Sequence, residues 1–188
     1  MKITSVKFLK GVVDSDELFT DGTPQIAFIG RSNVGKSSLI NALTNSSISR
    51  ASSFPGRTQE INVFLINNLV YFVDLPGYGF SRVSGAGKEK ITDLIDCYLF
   101  NNSFTQHKIV LIIDANVGMT DKDISMFDEL ARHKKDFIIA LSKIDKMNQS
   151  EYHHKMMEIK KITGQHLLFP FSTKSMKGLT QILDVVLI

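Results

Sequence analysis

Cysteine is nearly missing from this chain of 188 residues: Cys97 stands alone, so no internal disulfide can form and no zinc site can be built on paired cysteines. A secreted, disulfide-stapled scaffold is excluded, and a reducing compartment, the cytoplasm, is the expected home. Neither sign of charge is in large excess. Lys plus Arg number 22 and Asp plus Glu 19, and the net +3 is too small for field strength alone to demand a nucleic-acid partner. No apolar run approaches the roughly 18 residues of a membrane span. The start, Met1 to Gly11, interleaves Lys2, Lys7 and Lys10 with short apolar pairs and does not read as a signal peptide. Internal repeats and low-complexity tracts are lacking too.

What remains is ordinary for a globular protein, with 43% hydrophobic and 22% charged residues in a length suited to one core. One unit spanning residues 1–188, acting as a monomer, is the expectation. Short β-branched runs alternate with amphipathic stretches, which predicts an α/β sheet covered by helices on both faces. Six strands are expected at residues 26–29, 61–66, 69–74, 109–114, 137–142 and 167–171. Five helices are expected at 36–43, 88–100, 121–133, 150–162 and 179–187. Asn67-Asn68 gives the one hairpin signal, so one antiparallel edge is expected on an otherwise parallel sheet. Residues 45–58 and 75–87 break the alternation and read as long, mobile, functional loops.

Gly30-Arg31-Ser32-Asn33-Val34-Gly35-Lys36-Ser37, followed by Ser38, lies between a predicted strand and a predicted helix, the context that a G-x-x-x-x-G-K-[ST] phosphate loop requires. Its backbone N–H groups can wrap a polyphosphate, Lys36 can reach the outer phosphates, and Ser37 offers a hydroxyl to Mg²⁺. Kinases, ATPases and GTPases all use such loops, so later segments must discriminate. Asp74-Leu75-Pro76-Gly77 falls at a strand end, where the carboxylate can reach Mg²⁺ through water and Gly77 can offer its N–H to a γ-phosphate. Ser142-Lys143-Ile144-Asp145 closes another strand. A carboxylate there can accept from both N1–H and the 2-amino group of guanine, a pattern that adenine does not present. Lys143 can lay its stem along the base, and Phe171-Ser172-Thr173-Lys174 can turn backbone N–H groups toward the guanine O6.

These segments, together with Pro55-Gly56-Arg57-Thr58-Gln59 and the continuation Tyr78-Gly79, resemble the EngB-type (YihA/YsxC) ribosome-biogenesis GTPases of the TrmE-Era-EngA-EngB-septin-like group across nearly the whole chain. The resemblance implies a small G domain that binds GTP or GDP with Mg²⁺ held by Ser37, Thr58 and Asp74. It also implies a precursor of the large ribosomal subunit, with its RNA and proteins, as partner, and a link to cell division and septation. Three departures from the family pattern stand out. Ser142 occupies a place usually Thr or Asn, Asp114-Ala115-Asn116 replaces a common Asp-x-Arg, and Ser172-Thr173-Lys174 replaces Ser-Ala-Lys. Slow hydrolysis is expected, with Lys36, Asn33, Thr58 and Gly77 as its residues, because Tyr78 stands where Ras-like enzymes carry a water-orienting glutamine. Asn33 either caps the loop or coordinates a potassium ion. Arg57 either reaches ribosomal RNA or acts as an internal finger, and Arg50, Arg82, Lys88 and Lys90 are solvated loop charges or part of the same RNA contact. Two other readings stay open: a phosphate-loop small-molecule kinase, and a nucleotide-gated binding module with negligible hydrolysis. Adjacent His153 and His154 do not read as a metal site, and Cys97 reads as a small core residue.

Overall fold

The computed structural model describes residues 2–48, 60–79, 86–164 and 166–187. Among them are seven strands: β1 (Val6–Val12), β2 (Gln25–Gly30), β3 (Ile61–Ile66), β4 (Val70–Asp74), β5 (Lys108–Asp114), β6 (Phe137–Ser142) and β7 (Leu168–Pro170). Five helices connect or follow them: α1 (Lys36–Thr44), α2 (Ala86–Phe100), α3 (Asp121–Arg132), α4 (Gln149–Thr163) and α5 (Leu179–Val186). The strands form one sheet in the order β1-β3-β4-β2-β5-β6-β7. Pairing is parallel from β4 through β2, β5 and β6 to β7, and antiparallel where β3 meets β4 and β1. No helix among the described residues is long and apolar enough to cross a membrane.

The sheet therefore has seven strands rather than six, and β1 is the addition. Only its last residue is buried, Lys7 and Lys10 sit within it, and its register against β3 shifts between Phe8 and Lys10. A bulge in an exposed, lysine-bearing edge strand erases the two-residue alternation by which strands are read. The β3–β4 hairpin is where the sequence puts it, with Asn67 and Asn68 in the left-handed region at φ 53° and 58°.

Side chains of the central strands alternate between the two faces of the sheet, and both faces are buried. Ala27, Ile29, Ile109, Leu111, Ile113, Ile139 and Leu141 pack on one side with Leu94, Tyr98 and Leu99 of α2, Phe127 and Leu130 of α3 and Ile159 of α4. Ile26, Phe28, Val110, Ile112, Ile138 and Ala140 pack on the other with Leu39, Ile40 and Leu43 of α1 and Leu179, Ile182 and Val186 of α5. Strands buried on both faces read as continuous apolar runs, which is why the central ones were legible. Cys97 is half-buried against the first of these cores. The carboxyl ends of β2, β4, β5 and β6 bring Gly30, Asp74, Asp114 and Ser142 to one edge of the sheet, where open parallel sheets place their ligands.

Candidate functional site

Between β2 and α1 the chain makes a loop whose backbone turns left-handed at Asn33 (φ 63°) and at Gly35 (φ 104°), the residue that caps α1. Gly35 has no side chain to cap the first turn of α1, so among the described residues its N–H groups and the helix dipole can face an anion. Two loop carbonyls are tied down from the β6 side. Ser142 Oγ donates to Val34 O at 2.6 Å, and Lys143 Nζ donates to Asn33 O at 2.8 Å and to Asp114 Oδ2 at 2.6 Å. The serine that departs from the family pattern thus keeps a structural hydroxyl that braces the loop. Asp114, which the sequence did not single out, orients Lys143.

Lys36, the first residue of α1, has its ammonium in direct contact with Asp74 Oδ1 at the end of β4, and both side chains are almost wholly buried. Ser37 and Ser38 follow, half-buried. The segment after Asp74 differs from the free loop expected from residue 75. Leu75 and Pro76 are buried, Leu75 N–H donates to Phe28 O at 3.1 Å, and Tyr78 N–H donates to Gly30 O at 3.2 Å. Ser32 N–H in turn donates to Tyr78 O at 3.2 Å, so Arg31 and Tyr78 form a parallel bridge that extends the β2–β4 pairing into the phosphate loop. Gly77 is packed on Ser32 so closely that a Cβ would lie 3.0–3.1 Å from its N, Cα and Oγ, a contact that a larger residue could make only by pushing Ser32 back by a few tenths of an ångström. Ser32 Oγ is buried there with no hydrogen-bond partner among the described residues.

At the other end of the edge, Lys143 adopts φ 61° and the chain turns so that Ile144 packs on the core and Asp145 meets a separate loop, that of Ser172. Asp145 is exposed. Its Oδ1 accepts from Ser172 Oγ at 2.6 Å, and that bond holds the carboxyl below its ordinary pKa. Ser172 is fully buried and its Oγ also accepts from the N–H groups of Lys174 and Ser175, each at 3.2 Å. Phe171 continues β7 beside β6 through a 2.8 Å bond from its N–H to Leu141 O, and its ring lies in the α1/α5 core. Phe171 and Leu75, both among the expected site residues, therefore act by placing backbone, since their side chains are core. Thr173 is half-buried. Gly178 closes the loop at φ 81°, where a Cβ would come 2.1 Å from Pro170 O. A cleft of about 510 Å³ opens beside Asp145, lined in part by Ile144, Tyr152, His153 and Lys177. His153 and His154 make no joint site: His154 lies 3.4 Å from Glu158 along α4.

The structure thus gathers Gly30, Arg31, Ser32, Asn33, Val34, Gly35, Lys36, Asp74, Gly77, Ser142 and Lys143 around one loop and sets Asp145, Ser172 and Thr173 beside it. Gly56, Arg57, Thr58 and Gln59, and likewise Arg50 and Arg82, lie outside the described residues. Residues 25–143, carrying both the phosphate loop and Ser142-Lys143, match the family described as "50S ribosome-binding GTPase". The chain is 39% identical over 178 residues to a "Probable GTP-binding protein EngB" of Metamycoplasma arthritidis, covering 95% of this chain and 97% of the relative. The chain belongs to the EngB family of GTP-binding proteins. A Thermotoga maritima EngB is 38% identical over 165 residues, covering 86% and 84% of the two chains. A crystal structure of an EngB protein superposes with a TM-score of 0.73 at 25% identity, covering 87% of this chain and 96% of that one. Membership decides among the phosphate-loop classes: this EngB-family chain is a GTPase, and the kinase reading falls away.

Proposed function

We propose that this EngB-family GTPase is a cytoplasmic, monomeric switch whose partner is a precursor of the large ribosomal subunit, and that cell division and septation depend on it through that assembly task. The observation carrying the proposal is the convergence, on one sheet edge, of an anion-ready phosphate loop and a carboxylate held for guanine. The family's description as ribosome-binding supports the choice of partner. In this reading the loop N–H groups of residues 30–35 and the first turn of α1, with Ser37 and Ser38, surround the phosphates of GTP or GDP. Lys36 exchanges Asp74 for the outer phosphates. Gly77 N–H meets the γ-phosphate, and Thr58, Gly56, Arg57 and Gln59, which lie outside the described residues, complete the nucleotide site. Asp145 accepts from guanine N1–H and the 2-amino group, Lys143 packs its stem on the ring, and the backbone at Ser172 and Thr173 faces O6.

Hydrolysis is in-line attack of water on the γ-phosphorus, with the bond to the bridging oxygen breaking to leave GDP and phosphate. The donors for Mg²⁺ fit that ion: the Ser37 hydroxyl, the Asp74 carboxylate and, with them, Thr58 are hard oxygen ligands. When bound, Mg²⁺ supplies charge neutralisation on the β- and γ-phosphates. Asn33, exposed and left-handed in the loop, is the candidate ligand for a potassium ion beside the same phosphates. Loop order set by the γ-phosphate then gates partner affinity. Co-sedimentation with large-subunit particles tests the proposal. Association with a GTP analogue and release with GDP are expected, and equal binding in both states would remove the switch.

A further inference from the structure

A buried carboxylate at the start of α3 gathers groups from three parts of the chain. Asp123 is fully buried, and its Oδ2 accepts from Arg31 Nε at 2.9 Å, from Thr120 N–H at 2.9 Å and from Thr120 Oγ1 at 2.8 Å. Its Oδ1 accepts from the Tyr78 hydroxyl at 2.8 Å. A cap for α3 accounts for the bonds to Thr120 but not for those to Arg31 and Tyr78. Four donors on one carboxylate are what make a buried charge tolerable, and two of them come from the phosphate loop and from the segment after Asp74.

Those two residues are the pair joined in the isolated bridge, so Asp123 closes a ring. The ring runs from Arg31 through the backbone bonds linking Gly30, Tyr78 and Ser32, then through the phenol to the carboxylate and back to the guanidinium. Gly77, next to Tyr78, sits at this ring packed tightly against Ser32, 3.0–3.1 Å from where a Cβ would lie. Lys122, the neighbour of Asp123, adds a 3.3 Å bond from Nζ to Gly79 O. Burial first, and then the charge of Asp123, push the Tyr78 phenol well above its ordinary pKa, so the hydroxyl remains a proton donor at physiological pH.

We infer that Asp123 is a positioning residue that acts through Tyr78 to hold Gly77 where its N–H meets a terminal phosphate, making the start of α3 part of the apparatus that tells a triphosphate from a diphosphate. A diphosphate does not reach Gly77. Holding the glycine in place before the ligand arrives therefore favours GTP selectively, because the ordering cost is met in the free protein. The hydroxyl of Tyr78, at the position of the Ras glutamine, then serves as a latch and orients no water. The inference rests on the GTP-switch reading above.

Calorimetry of GDP and of a non-hydrolysable GTP analogue tests it in wild type, Tyr78→Phe, Asp123→Asn and the double variant, with Tm measured for each. Tyr78→Phe is expected to lose about three- to tenfold in analogue affinity, as for one hydrogen bond, with GDP affinity unchanged, and Asp123→Asn, which also releases Arg31, to lose at least as much for the analogue. The double variant is expected to lose no more than Asp123→Asn alone, since Tyr78→Phe removes the bond through which the carboxylate acts on Gly77. Asp123→Asn also loosens the α3 cap, so Tyr78→Phe, which keeps the ring, decides the matter if that variant folds poorly. A lowered Tm with an unchanged GTP-to-GDP ratio in Tyr78→Phe would leave Asp123 a structural cap and overturn the inference, as would additive losses in the double variant. Intact GDP binding in wild type separates that failure from failure of the parent reading, because a wild-type chain that bound neither nucleotide would overturn both.

Discussion

The two ends of the site are built on different physics. At the phosphate end, charge is paired and largely withdrawn from water: buried Lys36 with Asp74, and half-buried Arg31 with the buried Asp123. At the end we propose for the base, the carboxylate of Asp145 is exposed, and buried hydroxyls do the holding: Ser172 on Asp145, and Ser142 on the phosphate loop. A phosphate site must receive several negative charges and keep water out, and buried cations serve that end. A base site must discriminate one ring edge from another. An acceptor fixed by one short hydrogen bond does so with little buried charge. The phosphate end should accordingly be sensitive to loss of charge, and the base end to loss of geometry.

The largest effect should come from breaking the buried pair. Lys36→Ala removes the cation in contact with the buried Asp74 carboxylate and should cost about 3 kcal/mol of stability in the free protein, short of unfolding it, along with tenfold or more in nucleotide affinity. Adding Asp74→Ala should restore most of the stability and none of the affinity, as thermal melts and calorimetry would show. If the single and double variants melted alike, the pair would not be a buried-charge device. Next in size is Gly178→Ala. Its strained backbone and a Cβ 2.1 Å from Pro170 O should cost about 2 kcal/mol and weaken guanine binding through the loop that carries Ser172. An unaltered melt would place the loop's rigidity elsewhere.

The smallest effect concerns pH. The Ser172 hydrogen bond lowers the Asp145 pKa, so the ionised acceptor is present above that lowered value and is lost as pH falls through it. Ser172→Ala should raise the pKa toward the ordinary 3.8. Guanine affinity would then begin to fall at a higher pH on the acid side while changing about threefold or less at neutral pH. An identical acid limb in both proteins would show that Ser172 does not set the charge of Asp145.

Which parts of this were legible in the sequence follows from the same division. The doubly buried strands and the phosphate loop announce themselves because local residue type and spacing carry them, and the order of Lys36, Asp74 and Asp145 along the chain points to GTP. β1 was hidden by its bulge and its solvent-facing lysines. The packing of residues 75–79 onto the phosphate loop was hidden because glycine-rich sequence signals freedom, whereas Gly77 is there for close approach. Asp114 and Asp123 were missed because each acts on a partner remote in sequence, Lys143 for one and Arg31 and Tyr78 for the other. Only a capping pattern, Thr120 followed three residues later by Asp123, marked the second, and it carried no sign of the phosphate loop.

The central claim is that the exposed Asp145 carboxylate reads guanine. The direct measurement is calorimetry of GDP, ADP and xanthosine diphosphate on wild type and Asp145→Asn. Wild type should bind GDP and reject ADP. The variant should lose tenfold or more for GDP, because its amide can accept from N1–H but sets N–H against the 2-amino group, a loss within the range for hydrogen bonds to charged groups. It should gain for xanthosine diphosphate, whose 2-oxo group accepts what the amide donates. Unchanged GDP affinity in Asp145→Asn, with no gain for the xanthine nucleotide, would contradict the account.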